Sequence, residues 1–397
     1  MPAEDLDADV TEFRLSLVRN DLLFRVQRAV GLIPATGLGV GRRAIALALF
    51  AWLPIAVWAF VAGRALPGQQ AAEPLLQHFG VTVRCLVAIP LLVIGEAVAH
   101  ALTMHLIPHF VRSGLVSEAD RPHFRAILSG VARLRDQSLP WILIGGAVVA
   151  WMALSPPHAG QHELTWAESG DGHSGFGFGG IWFLYVVRPI FTALLLAWVW
   201  RLALLLLLMS RIAKLDLGLV PTHPDRCAGL GFLESLPAVF SAVVLAASAV
   251  LASRWAHDVL YHGVDVKSLG APAGVFVVAM LLLFLSPLLA FGSKLRVAKR
   301  DALLDYGALV GRHGRGVHQR WIEGRTLADD GLLSAPELGP VADTAALYES
   351  VSQMRGAPIG KPSLLVIALP AILPLLAVVA IQIPIKDILV KLLKTLV

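Results

Sequence analysis

Seven apolar stretches follow one another along the chain, separated by polar segments. A membrane-spanning helix needs about 20 apolar residues, because each residue advances the helix by about 1.5 Å through a hydrocarbon core about 30 Å thick. We number the stretches as predicted spans 1 to 7: 44–63, 85–106, 139–154, 181–209, 232–252, 271–291 and 363–383. The sequence therefore predicts an all-α fold, a polytopic transmembrane helical bundle.

Two of the stretches are less regular than the others. Span 4 is long enough to tilt or to project beyond the lipid headgroups. Span 7 contains Pro370 and Pro374, and each proline removes a backbone donor and disturbs the helical turn before it. Span 7 is therefore expected to be kinked or re-entrant, and a re-entrant segment would leave six spans.

The composition also indicates a membrane protein. Of the 397 residues, 56% are hydrophobic and 15% are charged, whereas an ordinary soluble domain has roughly 25% charged residues. This excludes a soluble enzyme and a disordered chain, and it makes membrane lipids the expected partner. The net charge is +5, but no basic run is interleaved with aromatic residues, so nucleic acid is not an expected partner.

The positions of lysine and arginine predict the orientation. With the N-terminus inside, the inner segments contain 24 of the 33 basic residues, whereas the outer segments contain seven. Positive loops stay in the cytoplasm, so we expect a multi-pass membrane protein with a cytoplasmic N-terminus. Cys85 and Cys227 then lie on opposite sides of the membrane, which excludes a disulfide between them.

The spans divide the chain into four regions. These are a cytoplasmic amphipathic segment (1–43), a six-span bundle (44–291), a cytoplasmic helical cap (292–362) and span 7 with an amphipathic tail (363–397). The cap is too short to be an independent catalytic domain.

Residues 10–33 have the spacing of an amphipathic helix. Its apolar positions recur every three or four residues at Leu15, Val18, Leu22, Val26 and Ala29. We expect this helix to lie on the inner leaflet before span 1. A soluble helix that binds a partner is the alternative.

The cap begins with a near seven-residue recurrence of apolar residues. Leu295, Ala302 and Leu309 carry this pattern, which predicts a helix that continues out of span 6 and a homo-oligomer formed through it. Prolines bracket a second short helix over 341–354.

Ionisable residues within the spans are the best indicators of function, since each costs roughly 2.5–3.5 kcal/mol to insert unless it is paired or hydrated. Glu96, Arg188 and Arg201 are such residues, and His100 shares a helical face with Glu96. They indicate a proton relay or a cation site along a pathway; the alternative is a buried pair that locks two helices together. Depth along spans 2 and 4 predicts that Glu96 meets Arg188.

The outer loop between spans 3 and 4 offers a candidate metal site. His158, His162 and Glu163 have a spacing that could ligate a divalent cation if the segment is helical. The glycine-rich run over 175–180 instead favours a flexible, solvated connector, which is our preferred interpretation.

The densest polar motif lies between spans 4 and 5. It comprises His223, Asp225, Arg226, Gly229 and Gly231. Its exposed backbone amides could hold an anion or a lipid phosphate at the inner leaflet. The preferred interpretation is a tight turn that docks the loop under the bundle.

This motif resembles a family of bacterial multi-spanning inner-membrane proteins whose activity is uncharacterised. The family pattern is His-Pro-Asp, two residues, then Gly-Gly-Leu-Gly-Phe-Leu, and Ala228 replaces its first glycine here. Leu215-Asp216 matches before the motif, and the segment from Ser286 to Phe291, Asp343 and the turn over 354–358 match after it. The resemblance therefore covers about the last half of the chain. It implies a bacterial inner-membrane location and no activity.

We therefore expect an oligomeric ion or small-solute channel or transporter with Glu96, His100 and Arg188 near its pathway. The alternatives are a membrane-embedded enzyme or lipid-binding protein that uses the 223–232 loop, and a non-transporting sensor or assembly subunit. No phosphate-binding loop, zinc-protease motif or nucleophile elbow occurs. No cofactor is expected, and an enzyme is the less favoured class.

Overall fold

The structure is a computed structural model that describes residues 12–19, 21–34, 37–67, 74–154, 162–167, 176–325 and 339–382, with the side chains of 162–164 and 339–342 left out. Seven helices within these ranges are long and apolar enough to cross a membrane. The predicted all-α, polytopic bundle is confirmed, and the chain is a multi-pass membrane protein.

The seven predicted stretches each become a helix. Spans 1 to 7 are Val40–Val61, Phe79–Arg112, Leu139–Leu154, Phe178–Ile212, Gly231–Tyr261, Val266–Leu289 and Lys361–Gln382. Spans 2, 4 and 5 are the most buried and form the centre of the bundle, whereas spans 3, 6 and 7 expose more of their apolar surface. We call the end where span 1 begins the inner end, after the predicted orientation, and the opposite end the outer end.

Span 7 is one helix of 22 residues despite its two prolines. Ser248 of span 5 donates a hydrogen bond of 2.6 Å to the carbonyl of Ala371, which lies between Pro370 and Pro374. Contacts of this kind from a neighbouring helix let prolines remain inside a membrane helix.

Spans 2 and 4 each contain a π-helical turn at corresponding places. The turns are Arg84–Ala88 and Phe183–Val187, and each ends two residues before a proline, Pro90 or Pro189. A proline ring clashes with the carbonyl four residues earlier, and here the N–H groups of Ile89 and Arg188 bond to carbonyls five residues back. Turns of this kind are frequent at functional sites.

The N-terminal segment differs from the predicted surface helix. Of the described residues between 12 and 33, only Leu22–Ala29 forms an α-helix. Ser16 Oγ accepts hydrogen bonds from the N–H groups of Val18 and Arg19, so the chain turns before the helix begins. Phe13 and Leu17 are at most 1% exposed. Phe13 and Leu17 therefore insert among the helices of the bundle, whereas Val26 and Val30 at the other end of the segment are 51% and 72% exposed.

The glycine-rich run before span 4 is a packing surface, which corrects the predicted flexible connector in its described part. A Cβ added to Gly177 or Gly179 would lie 2.1 or 2.4 Å from ring atoms of Trp58 in span 1. Trp166, in the short helix His162–Ala167, is fully buried against the same Trp58 ring. Glycine is needed here for close approach.

In the described part of the cap, two α-helices pack together. Gly292–Val317 continues the chain after span 6, and Gly339–Ser352 packs against it. Leu295 and Ala302 of the seven-residue recurrence are buried within this chain. The homo-oligomer stays a prediction.

Candidate functional site

Four charged side chains meet near the inner end of the bundle, and we call them the inner ion network: Asp21, Arg43, Glu96 and Arg201. Each is at most 1% exposed. Glu96 accepts from Arg43 at 2.5 Å through one carboxylate oxygen and from Arg201 at 2.7 Å through the other. Arg201 also contacts Asp21 at 2.9 Å. Two guanidinium groups and two carboxylates give the network no net formal charge.

Four separate parts of the chain build this network. Asp21 also caps the helix Leu22–Ala29 by accepting from the N–H of Phe24, while Arg43 lies at the start of span 1. Glu96 and Arg201 come from spans 2 and 4, which approach closely because a Cβ at Gly95 would lie 2.9 Å from the Trp198 ring. The network therefore ties the N-terminal segment to spans 1, 2 and 4.

The predicted contact between Glu96 and Arg188 is wrong. Arg84 of span 2 lies over Phe183 of span 4, 5.4 Å from the ring centroid, so these two positions have similar depth. Arg188 is then about 10 Å closer to the outer end than Glu96, counted at helical rise. Helical side chains also tilt toward the N-terminus of their helix, which carries Arg188 away from Glu96 and carries Arg201 toward it.

His100 contacts the N-terminal segment next to the inner ion network. Its Nδ1 lies 2.8 Å from Ser16 Oγ, and Arg135 donates to the backbone carbonyl of Ser16. These bonds hold the N-terminal segment in place. His100 therefore supports the closed arrangement of the inner end, alongside the inner ion network.

The motif between spans 4 and 5 is held together by one carboxylate. Asp225 accepts from the N–H groups of Cys227, Gly229 and Gly231 at 2.7, 3.2 and 2.7 Å. Burial alone would raise the pKa of Asp225, but these donors outweigh it and hold the pKa below its usual value. These amides, a candidate for binding an anion or lipid phosphate, are thus occupied by the loop itself.

The backbone of this loop explains its small residues. Arg226 and Ala228 have φ of 58° and 55°, in the left-handed region that favours glycine. Ala228 is the position where the resembled family pattern has glycine. A Cβ on Gly231 would lie 2.7 Å from the Cβ of Asp225, so glycine is required there for the carboxylate to reach the amides.

Arg355 fastens the segment before span 7 onto this loop. Its N–H bonds to the carbonyl of Arg226, its guanidinium donates to the carbonyl of Asp225, and it forms an ion pair with Glu234. Beneath this contact lies Cys227, which is fully buried. Burial raises the pKa of the Cys227 thiol to about 11. The preferred interpretation, a docking turn, matches this geometry.

A cavity of about 670 Å³ lies toward the outer end, between the start of span 2 and the end of span 5. We call it the outer cavity. Its polar lining consists of His78, Arg84, Arg254, His257 and Asp258, and its apolar lining includes Val81, Ala247, Val250 and Leu251. This volume is typical of sites for small molecules.

Two stacked histidines form one wall of the outer cavity. The rings of His78 and His257 have centroids 4.9 Å apart and an interplanar angle of 25°. His257 Nδ1 lies 3.1 Å from the carbonyl of Gln77, which can only accept, so this nitrogen carries the proton. His78 Nε2 lies 3.1 Å from Thr165 Oγ1 in the outer loop. The wall thus joins span 5, the start of span 2 and the outer loop.

The two arginines of the outer cavity differ in their surroundings. The guanidinium of Arg84 lies over the rings of Phe183 and Phe191 in span 4, 5.4 and 5.5 Å from their centroids. Arg254 makes no hydrogen bond or ion pair to another described residue. Asp258 lies one helical turn beyond Arg254 on span 5. Arg84 is also the first residue of the π-helical turn in span 2, so that turn contributes a charged side chain to the cavity.

The candidate metal ligands fall largely outside the described part of the chain. His158 is not described, nor are the side chains of His162 and Glu163. Among the residues that are described, no group of three or more His, Cys, Asp or Glu side chains could hold a metal ion.

Sequence reasoning missed the residues of the outer cavity and half of the inner ion network. Arg43 follows Arg42 at the start of span 1, so it looked like one of the basic residues that commonly flank a span on the cytoplasmic side. His78, Arg254 and His257 lie at the ends of helices, where polar residues are common. A usable signal was the pair Pro90 and Pro189, since each predicts a disturbed helix near the outer end of its span.

In comparisons with known proteins, the chain matches no family model, no curated protein and no solved structure. The loop motif's resemblance to an uncharacterised family therefore stays a prediction. What the fold and sites define is a class, the multi-pass helical membrane protein.

Proposed function

We propose that this protein is a small-solute transporter of the bacterial inner membrane, with the outer cavity as its solute-binding site. The observation that carries the proposal is the combination of the outer cavity with a closed inner end. The cavity offers charged and apolar groups to a solute, whereas the four charged side chains of the inner ion network are all buried at the opposite end.

The inner ion network is the natural inner gate of such a transporter. It joins the N-terminal segment to three spans, and all four of its charges are neutralised within the protein. A solute can leave at the inner end only if these ion pairs separate. The protein as described then corresponds to a state that is open outward and closed inward.

The π-helical turns of spans 2 and 4 support the same proposal. Transporters commonly bind their solutes where membrane helices are interrupted. Here Arg84 begins one π-turn and contacts Phe183, which begins the other. A change in either turn would move a residue of the outer cavity or one of the rings beside it.

The lipid-binding alternative at the 223–232 loop has lost its main support. Its case depended on free backbone amides, and Asp225 accepts from three of them. A one-sided receptor would bind a solute in the outer cavity without moving it, and the experiment below separates such a receptor from a transporter.

The test measures from which side of the membrane the outer cavity can be reached. Ala247 lines the cavity, and Ala247→Cys in a Cys85→Ala, Cys227→Ala background supplies a single thiol. We expect a membrane-impermeant thiol reagent to modify it quickly from the outer side and more slowly from the inner side, because a transporter exposes its site alternately. Glu96→Gln should accelerate the reaction from the inner side.

The matched control is Leu282→Cys in the same background. Leu282 is on span 6 and is 69% exposed on the apolar surface of the bundle, so it should react from neither side. Modification of Ala247→Cys from the outer side alone, with and without Glu96→Gln, would contradict transport and favour the receptor. Modification from the inner side alone would contradict the assigned orientation of the cavity.

A further inference from the structure

The charges of the outer cavity favour an anion over a cation. Arg84 and Arg254 contribute two positive charges and Asp258 contributes one negative charge, so with neutral histidines the lining carries one net positive charge. Arg84 already has two aromatic rings against its guanidinium. Arg254 has no such partner, and its planar fork of donors matches a carboxylate.

The other half of the lining is apolar. Ala247, Val250 and Leu251 lie three to seven residues closer to the inner end than Arg254 on span 5, and Val81 of span 2 completes the apolar lining. A ligand that places its charge at Arg254 would therefore place the rest of its body among hydrocarbon side chains. A fully hydrated inorganic anion has no group that gains from this surface.

We infer that the outer cavity binds a monovalent organic carboxylate with an apolar body, and that Arg254 receives the carboxylate. One negative charge balances the net charge of the lining. Asp258, one turn further along span 5, disfavours a second negative charge. The inference rests on the proposed function, since it names the solute class of the same cavity.

The experiment measures binding to the full-length protein purified in detergent, so transport is not required. The probes are benzoate, its neutral counterpart benzyl alcohol, its cationic counterpart benzylammonium, and acetate, which keeps the carboxylate without the apolar ring. Isothermal titration calorimetry should show that benzoate binds at least tenfold more tightly than each of the others.

Variants then assign the carboxylate to Arg254. Arg254→Gln should weaken benzoate binding by about tenfold or more, because it removes a charge-assisted hydrogen bond. Arg254→Lys, which keeps the charge, should bind with intermediate affinity. Arg300→Gln is the matched control, since that side chain is 71% exposed on the cap helix Gly292–Val317 and should leave binding unchanged.

Equal binding of benzoate and benzyl alcohol, preference for benzylammonium, or full affinity in Arg254→Gln would overturn the inference. Thermal unfolding of each variant without ligand checks that it is folded. The two proposals fail separately. Benzoate binding with accessibility from one side alone would leave a carboxylate receptor, whereas two-sided accessibility without benzoate binding would leave a transporter of another solute class.

Discussion

Glu96→Gln should strongly destabilise the protein, and the inner ion network gives the reason. Glu96 is the only acidic residue among those described that contacts Arg43, and both side chains are at most 1% exposed. Arg201 would still have Asp21 at 2.9 Å. The substitution would leave the buried guanidinium of Arg43 with no carboxylate partner and only neutral side-chain acceptors, Gln27 among them.

The expected loss follows from the cost of an unpaired buried charge. Removing one partner of a buried ion pair typically destabilises a protein by about 3–5 kcal/mol. Glu96→Gln combined with Arg43→Gln restores charge balance and should recover about 0.5–3 kcal/mol of that loss, the range seen for directly interacting residues. Unfolding in mixed micelles with increasing sodium dodecyl sulfate measures each variant.

Arg188 supplies the control for this double-mutant cycle. It is an arginine in span 4 that makes no ion pair with any residue that the structure describes. Glu96→Gln combined with Arg188→Gln should therefore give additive losses. Additive behaviour for Glu96 with Arg43, or coupling of Glu96 with Arg188, would refute the reasoning from the inner ion network.

Three further predictions concern the loop between spans 4 and 5 and the outer loop. Asp225→Asn should raise the rate at which a thiol reagent modifies Cys227 by about tenfold or more, because the loop loses charge-assisted hydrogen bonds. Mass spectrometry in a Cys85→Ala background measures this rate. An unchanged rate would contradict the docking role of Asp225. In the unsubstituted loop, the lowered pKa of Asp225 stabilises docking above about pH 4, and this stabilisation is lost as the pH falls below that value. Dithiodipyridine should therefore modify Cys227 faster at pH 3 than at pH 6. Equal rates would contradict the role of the ionised Asp225 carboxylate in docking. Gly177→Ala should lower the free energy of unfolding by about 1–3 kcal/mol, because its Cβ would overlap the Trp58 ring. Gly146→Ala is the control and should be tolerated, since a Cβ there would have no atom within 4 Å. Equal melting temperatures of the two variants would contradict the packing role of the glycine run.

The spans could be predicted from the sequence because a membrane crossing is a local property. About 20 apolar residues are required whatever the neighbouring helices are. Six of the seven stretches met that requirement, and the stretch 139–154, which has 16 residues, comes close to it. The N-terminal segment was not predictable in the same way. Its apolar residues fit either a lipid surface or a protein interior, and only the tertiary structure shows that Phe13 and Leu17 are buried in the bundle.

Partner choice within the bundle was the main failure of the sequence analysis. Glu96 and Arg201 were both candidate residues, but counting residues along the spans does not reveal which helix ends share a depth. The contact between Arg84 and Phe183 sets that relation, and it depends on how the two π-turns pack. The outer cavity was not predicted for a similar reason, since its polar residues come from two helix ends that are far apart in sequence.

The inserted N-terminal segment has a consequence for biosynthesis. It leaves the ribosome before the spans it packs against, and its partners His100, Arg135 and Arg201 are synthesised much later. At 5–20 residues per second, roughly 10–35 s pass between the synthesis of Asp21 and that of Arg201. During that interval the segment must wait outside the incomplete bundle with its apolar side chains uncovered, so a nascent chain stalled before span 4 should leave residues 12–29 open to proteases and chaperones.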